Sequence, residues 1–412
     1  MAFTEAEKQF ARLAVRRGVN VQPGQEMVIG TNVRDYEFVR LCMEEAYAAG
    51  AKHVSVRWRD DVSERIVYEN ESVQTLCDIP QWLYDREKHN QDRGACFLSI
   101  HSDIPGILKD IDTVKLQTAE KARSEKMADL QYFYTNNRAQ WCVIGRACTE
   151  WAKLVFPALG EREAFEALEQ AIFKASRIAG EADPVAAWDA HEKTLHDHAE
   201  KLNAYRFDAL HFRSAQTGTD LTVGLVKDHI WAGGGGTAAN GVFFSPNIPT
   251  EEVFTMPSRT RVDGVVYASK PLEYNGKLIK GLWLRFEKGR VVEGGAEEEA
   301  DLLQSLLDFD EGSRHIGEVA LVPYDSPISQ SGILFYNTLF DENAACHLAL
   351  GRPYPENIKG GEDMDIPTLM EHDANDSLQH EDFMIGTADM EIDGISEDGT
   401  RTPVFRAGNF VF

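Results

Sequence analysis

A chain of 412 residues, 43% of them hydrophobic and 26% charged, is too long for one ordinary core and has enough apolar material for two. Its formal net charge of −25 excludes the basic footprint that nucleic-acid binding needs, and it opposes docking on an anionic membrane surface. Six cysteines (Cys42, Cys77, Cys96, Cys142, Cys148 and Cys346) without a C-x-x-C pair are too sparse for a disulfide scaffold.

A reducing, cytoplasmic compartment is therefore expected. The charged, amphipathic opening segment has no apolar signal-peptide core. No apolar run approaches the roughly 18 residues of a membrane span.

Thr4 and Glu7 form a capping-box pattern for a helix reaching about Arg17. Met27-Val28-Ile29 reads as a short buried strand. Asp35 opens a second helix, with Phe38, Leu41, Cys42 and Ala46 near helical spacing, and Gly50 ends it. His53 to Val56 alternates as the next strand. This βαβ order predicts a parallel sheet covered by helices, with further strands at Cys96–Ile100 and Trp141–Ile144.

Residues 161–204 read as two helical segments broken near Asp183-Pro184. Segments 209–213, 220–225 and 265–268 then read as strands, with a few helices after about residue 295. The expected fold is α/β: an N-terminal parallel-sheet α/β domain over 1–185, followed by a strand-rich α+β domain over 186–412. Gly233 to Gly236 lacks a following Gly-Lys-Ser/Thr and reads as a turn between strands, not a phosphate loop.

Several local patterns fail on geometry. His191 and His196 are five apart, not four, so helix geometry separates them by about 140°; with His198 they read as a solvated helix face. Asp389, Glu391 and Asp393 start like a calcium loop, but Thr400 stands where a bidentate Glu belongs, and the alternation is that of a strand. Cys346 and His347 are adjacent and therefore diverge, which makes Cys346 a small buried hydrophobe.

A set of acids and histidines in apolar surroundings remains. Segment 247–257 reads as strand-like and puts Glu251 and Glu252 on opposite sides, so that one can point into a site. Glu318 stands just before an apolar strand. Segment 338–351 reads as a short helix, capped by Asp341 and stopped at Gly351, that carries Glu342 and a buried His347. Segment 378–386 reads as a strand with His380 and Asp382 on one face. A carboxylate–imidazole set of this size exceeds one tetrahedral zinc. It suits two metals roughly 3.5–4 Å apart with a bridging carboxylate.

The chain resembles the aminopeptidase T / aminopeptidase S / PepS family of metallopeptidases along essentially its whole length. The resemblance is carried by Gly218-Thr219-Asp220-Leu221-Thr222-Val223-Gly224, by Asn247 to Thr255, by Ser326-Pro327-Ile328-Ser329, by Asp341 to His347 and by His380 to Gly386. It implies metal-binding roles for Glu252 (chosen over Glu251), Glu318, Glu342, His347, His380 and Asp382. It also implies a catalytic role for Tyr354, which matches a family tyrosine that contacts the reacting carbonyl. The family usually has a small residue where Pro353 stands.

The implied activity is metal-dependent removal of the N-terminal residue of peptides. Two divalent ions per subunit (zinc, cobalt, manganese or magnesium) would hold and acidify a water, and Glu318 or Glu342 would be the general base. Peptides with a free N-terminus are the expected partners, and the family implies a homodimer. Rival readings are another dinuclear amidohydrolase, such as a dipeptidase or deacylase, and a non-catalytic peptide-binding scaffold. On an ordinary helix Glu342 and His347 would diverge by about 140°, so Glu342 either precedes the helix or acts beside the metals.

Overall fold

The computed structural model describes residues 4–179 and 183–412. The chain divides into two compact units, each discontinuous in sequence. One comprises the residues up to Lys193 together with Gly235–Thr250 and Ile333–Phe340. The other comprises Thr194–Gly234, Glu251–Gly332 and Asp341–Phe412. No described helix is long and apolar enough to cross a membrane.

The first unit is built on a five-stranded parallel sheet. Its strands are β1 (Glu26–Asn32), β2 (His53–Arg59), β3 (Cys96–His101), β4 (Trp141–Gly145) and β5 (Asn247–Ile248), in the order β2-β1-β3-β4-β5. The expected βαβ unit is present. Its opening helix, Glu5–Leu13, carries the reciprocal Thr4–Glu7 capping box. The helix Tyr36–Ala48 buries Phe38, Leu41, Cys42 and Ala46 against the sheet, and Gly50 turns the chain at φ +95°. Asp35 does not cap that helix with its side chain; it accepts hydrogen bonds from Thr31 and Ser102 instead.

The second unit contains an eight-stranded antiparallel sheet. Its order is Arg290–Gly295, Trp283–Glu287, Pro257–Tyr267, Thr219–Leu225, Ala209–Ser214, Glu391–Ile395, Arg401–Arg406 and Asn409–Phe410. The expected strands at 209–213, 220–225 and 265–268 lie within it. A smaller antiparallel sheet has four strands: β6 (Val253–Thr255), β7 (Ile316–Leu321), β8 (His347–Gly351) and β9 (His380–Met384), adjacent in that order. One buried apolar cluster joins the two sheets with the helix Ala300–Leu307. Each fully buried Leu, Val or Phe in it contributes about 1.5–3 kcal/mol.

Two expectations need correction. Segment 338–351 is not one helix. A short helix at Thr338–Asp341 passes through a 3-10 turn at Glu342–Ala344 into strand β8. Ala and Leu favour helix, but the alternation of His347, Ala349 and Gly351 against Leu348 and Leu350 belongs to a strand with two different faces. Segment 247–257 is likewise not one strand. It supplies β5 to the parallel sheet, crosses Pro249 to Glu252 without strand pairing, and supplies β6 to the four-stranded sheet.

Candidate metal centre

The four-stranded sheet divides its side chains by face. Register places Phe254 opposite Ala320, Ala320 opposite His347, and His347 opposite Met384; Glu318 is opposite Ala349, and Ala349 opposite Asp382. Cross-strand partners share a face, and residues two apart along a regular strand share it too. One face therefore carries Phe254, Glu318, Ala320, His347, Ala349, His380 and Asp382, with Glu252 just before β6. The other carries Val253, Val319, Leu321, Leu348, Leu350 and Phe383, all fully buried in the core.

A bulge at Gly317 sets the direction of Glu318. The register shifts between Ile316, which pairs with Leu350, and Glu318, which pairs with Ala349. Ile316 consequently joins the core although Glu318 is only two residues on. Only glycine fits at 317, because a Cβ there would lie 2.3 Å from the Gly351 carbonyl oxygen. Glu318 stands within its strand, not ahead of it as expected.

Two triads of ligand atoms result. Glu252, Glu318 and His347 form one, and Glu318, His380 and Asp382 the other; within each, the atoms lie within 4.8 Å of one another. Glu318 belongs to both. His347 Nε2 is 2.9 Å from Glu252, 3.6 Å from Glu318 and 3.9 Å from Asp382. His380 Nε2 is 3.3 Å from Asp382 and 3.8 Å from Glu318. Both imidazoles are turned by their other nitrogen. His347 Nδ1 is 3.1 Å from the Ala345 carbonyl and His380 Nδ1 is 2.6 Å from that of Arg352, so each Nδ1–H donates outward and each Nε2 faces the carboxylates.

Glu342 opens the 3-10 turn and stands outside both triads. It is near enough for Asp382 and Glu252 to disfavour its charge. Asn343, fully buried, ties the two approaches together. Its Nδ2 donates to Glu342 at 3.3 Å, and its Oδ1 accepts from the Glu251 amide at 2.7 Å. Tyr354 packs edge-on to His380, with ring centroids 5.0 Å apart.

The electrostatics are those of buried acids crowded around two imidazoles. Burial raises Glu318 to about 7 against the pull of His347 and His380, with Glu252 and Asp382 adding to the rise. Burial raises Glu342 well above the carboxylate range, reinforced by Asp382 and Glu252. Burial opposes charge on His380, but Asp382 and Glu318 outweigh it and push the ring up to about 10. The same contest at His347, with Glu252 and Glu318 prevailing, lifts it well above its usual value. Burial and the surrounding carboxylates raise Tyr354 as well, so its hydroxyl stays a donor. Asp382 is lowered: burial works against this, but His380 and His347 prevail.

Divalent cations fit this donor set. Asp382 Oδ1 is buried without a hydrogen-bond partner, and Glu252 Oε2 is buried with His347 Nε2 2.9 Å away. Such atoms carry a desolvation cost that a cation removes. Between the ligands, Ala320 and Ala349, both fully buried, place only a methyl group on the face.

The patterns set aside on sequence grounds have ordinary structural roles. On the helix Pro184–Tyr205 only His196 fits the expected solvated face, exposed and paired with Glu200; His191 contacts the Thr250 carbonyl and His198 packs against Phe410, both partly buried. Asp389 accepts from Ser214, Thr387 and the Gln216 amide, ahead of the strand Glu391–Ile395. Cys346 lies in the apolar core, its thiol donating to the Val322 carbonyl. Gly233 lets its loop run against the metal-site strand, since a Cβ there would meet the Glu252 carbonyl at 2.9 Å. Sequence reasoning passed over Asn343, Ala320, Ala349 and the Gly317 bulge. The small residues spaced between candidate ligands were the available signal.

Comparison with known proteins agrees with this geometry. The family model described as thermophilic metalloprotease (M29) matches residues 3–410. Aminopeptidase AmpS of Bacillus subtilis (strain 168) is 44% identical over 411 residues, covering 100% of both chains. Aminopeptidase T of Thermus aquaticus is 44% identical over 413 residues, covering 100% of this chain and 99% of its own. Aminopeptidase PepS of Streptococcus thermophilus is 40% identical over 410 residues, covering 99% and 98%. The solved structure of wild-type AmpT from Thermus thermophilus superposes with a TM-score of 0.91 at 42% identity, covering 100% of each chain.

Proposed function

The chain belongs to the M29 family of metallopeptidases and is a metal-dependent aminopeptidase, and we propose that it removes the N-terminal residue of peptides at the cluster around Glu318. The observation that carries this reading is the shared carboxylate: Glu318 belongs to both ligand triads, as a bridge between two divalent ions requires. Glu252, Glu318 and His347 would hold one ion, and Glu318, His380 and Asp382 the other. Bound there, the ions supply Lewis acidity toward a carbonyl oxygen and a water made acidic near neutral pH.

The remaining steps belong to side chains. Cations beside Glu342 would favour its ionised form against its burial, and, outside both triads, it is the better placed carboxylate to take the proton and return it to the leaving amine. Tyr354 stays protonated and donates to the oxygen on which charge develops. The four carboxylates also suit a free α-ammonium group, which makes the enzyme an exopeptidase. Zinc, cobalt, manganese and magnesium are all compatible with oxygen and imidazole donors. A cytoplasmic location accords with six free cysteines, and the homodimer rests on the family resemblance alone.

The test is a panel of aminoacyl p-nitroanilides, free and N-acetylated, assayed after chelation and re-addition of each metal. Activity restored by metal on free-amine substrates only is the expected result. Equal hydrolysis of the acetylated compounds would point to a deacylase. Metal-insensitive stability with no bound ion would point to a scaffold.

A further inference from the structure

We propose that Asn357 is a positioning residue for the reaction: its buried amide holds the turn that carries Tyr354 against β6 and so sets where the tyrosine hydroxyl stands. The proposal rests on the role given to Tyr354 above. Tyr354 precedes the 3-10 turn Pro355–Asn357, and the backbone N–H of Asn357 closes that turn on the Tyr354 carbonyl at 3.1 Å. The Tyr354 ring contacts two others edge-on, 5.9 Å from Phe254 of β6 and 5.0 Å from His380 of β9. Such ring contacts tolerate centroid separations from about 4.5 to 7 Å. They do not by themselves hold a hydroxyl to the roughly 0.5 Å that a catalytic donor needs.

Asn357 supplies the tighter restraint. The residue is 1% exposed. Its Nδ2 donates to two carbonyls on two separate segments, Ile230 and Phe254, each at 3.2 Å. Both partners are carbonyl oxygens, so the amide can face them only with its nitrogen. The backbone adds another bond, from the Ile230 amide to the Asn357 carbonyl at 2.7 Å. Phe254 is two residues past Glu252, so the same nitrogen links the tyrosine turn to the strand that begins beside a candidate ligand.

The two carbonyls do not depend on this side chain. Phe254 O also accepts from the Ala232 amide at 2.9 Å, and Ile230 O from Thr255 Oγ1 at 2.8 Å. The far side of the turn is attached by backbone, through the Lys359 amide on the Asp228 carbonyl at 3.0 Å. Removing the Asn357 amide therefore leaves both carbonyls with a donor and the backbone pairing in place. What it releases is the tie between the turn and β6. A displacement of about 1 Å at a reacting group costs up to about 100-fold in rate.

The experiment is a double-mutant cycle on metal-loaded wild type, Asn357→Ala, Tyr354→Phe and the double variant. Each is assayed on the free-amine p-nitroanilide that wild type cleaves fastest, with kcat expressed per bound metal ion so that unfolded protein does not count. Asn357→Ala should lower kcat by about 10–100-fold with metal content unchanged. In the Tyr354→Phe background the same change should cost less than about 3-fold, because no hydroxyl remains to be misplaced. Asn357→Ser, which can donate only one bond, replaces Asn357→Ala in the cycle if the alanine protein does not fold, with a loss of about 3–10-fold expected when Tyr354 is present. Equal losses in both backgrounds, the mark of a purely structural residue, or an unchanged kcat in the single Asn357 variant, overturn the proposal. Wild-type kcat in Tyr354→Phe overturns the role of Tyr354 and this proposal with it. Metal-loaded wild type inactive on every free-amine substrate overturns the aminopeptidase reading itself, an outcome distinct from coupling measured in an active enzyme.

Discussion

Loading the site with metal should expel protons, and the number expelled follows from the crowding of its acids. With no ion bound, His380 is held at about 10 and His347 well above its ordinary value. His380 is cationic at pH 8 and His347 is biased the same way, whereas a divalent ion takes the neutral ring. Binding the pair of ions must therefore displace about one proton from His380 and draw on that of His347. Glu318, raised to about 7, adds a third as the pH falls below that value.

For His380 at pH 7 the competition spans about three pH units, or ~4 kcal/mol. The His380 contribution to affinity should thus rise about tenfold per pH unit and level off near pH 10. In the metal-free protein the sign is opposite. The raised value of His380 stabilises the fold fully below its unfolded value near 6.5, and that contribution disappears as the pH rises through about 10. Calorimetric titration with chelator-buffered zinc, in buffers of different ionisation enthalpy, counts the protons directly. At pH 8 His380 should release about one proton, with further release from His347 and from water held by the ions, and His380→Asn should release about one fewer. Release of less than one proton in the wild type would show that the imidazoles are neutral before metal arrives, and would refute this account of the site.

Four further outcomes follow from the geometry. Glu318→Gln removes the carboxylate common to both triads and should lower both metal content and kcat/KM, the latter by about 10³-fold or more, as metal analysis and kinetics will show. Full activity with normal metal content would remove Glu318 from the mechanism. Tyr354→Phe should lower kcat by about 10²–10³-fold with metal content unchanged, the loss expected for one oxyanion donor. Ala349→Leu should fill the floor between Glu318 and Asp382 and abolish metal uptake, with about 1–3 kcal/mol lost from the metal-free protein in urea unfolding. Asn343→Leu should weaken metal affinity by about 10–100-fold in chelator competition, because Glu342 and the Glu251 amide both lose their positioning partner.

Much of the fold is legible in the sequence because much of it obeys local rules. The capping box at Thr4 and Glu7, the short β-rich runs before Asn32 and Arg59, and the alternation around Ala209 and Leu221 are signals contained within a few residues. The helices Asp61–Asn70, Gln81–Asp92 and Thr113–Thr135 are less so. They bury few side chains and lack an apolar stripe, so periodicity has little to detect.

The candidate ligands were individually ambiguous for a different reason. Glu252, Glu318, His347 and Asp382 meet only through strand pairings that no local window contains. The resemblance to a known family named them as a set, whereas periodicity could not separate Glu252 from Glu251. The helix read across 338–351 failed where alanine and leucine propensity opposed a tertiary demand for two faces. The concern about helical divergence of Glu342 and His347 ends there, since one occupies a turn and the other a strand.

The wide spacing of the donors also governs when metal can be captured. Residues 318, 347, 380 and 382 stand on three strands and residue 252 just ahead of a fourth, with long connections between most of them. No nascent segment holds a complete triad until β8 has emerged, and the second triad waits for β9. The emerging chain therefore has little to offer an ion, and metallation follows assembly of the sheet. Once bound, each ion closes loops between distant strands, so opening the sheet would require breaking that closure. Metal loss should be slow under native conditions and should accelerate steeply with any treatment that separates β7 from β8.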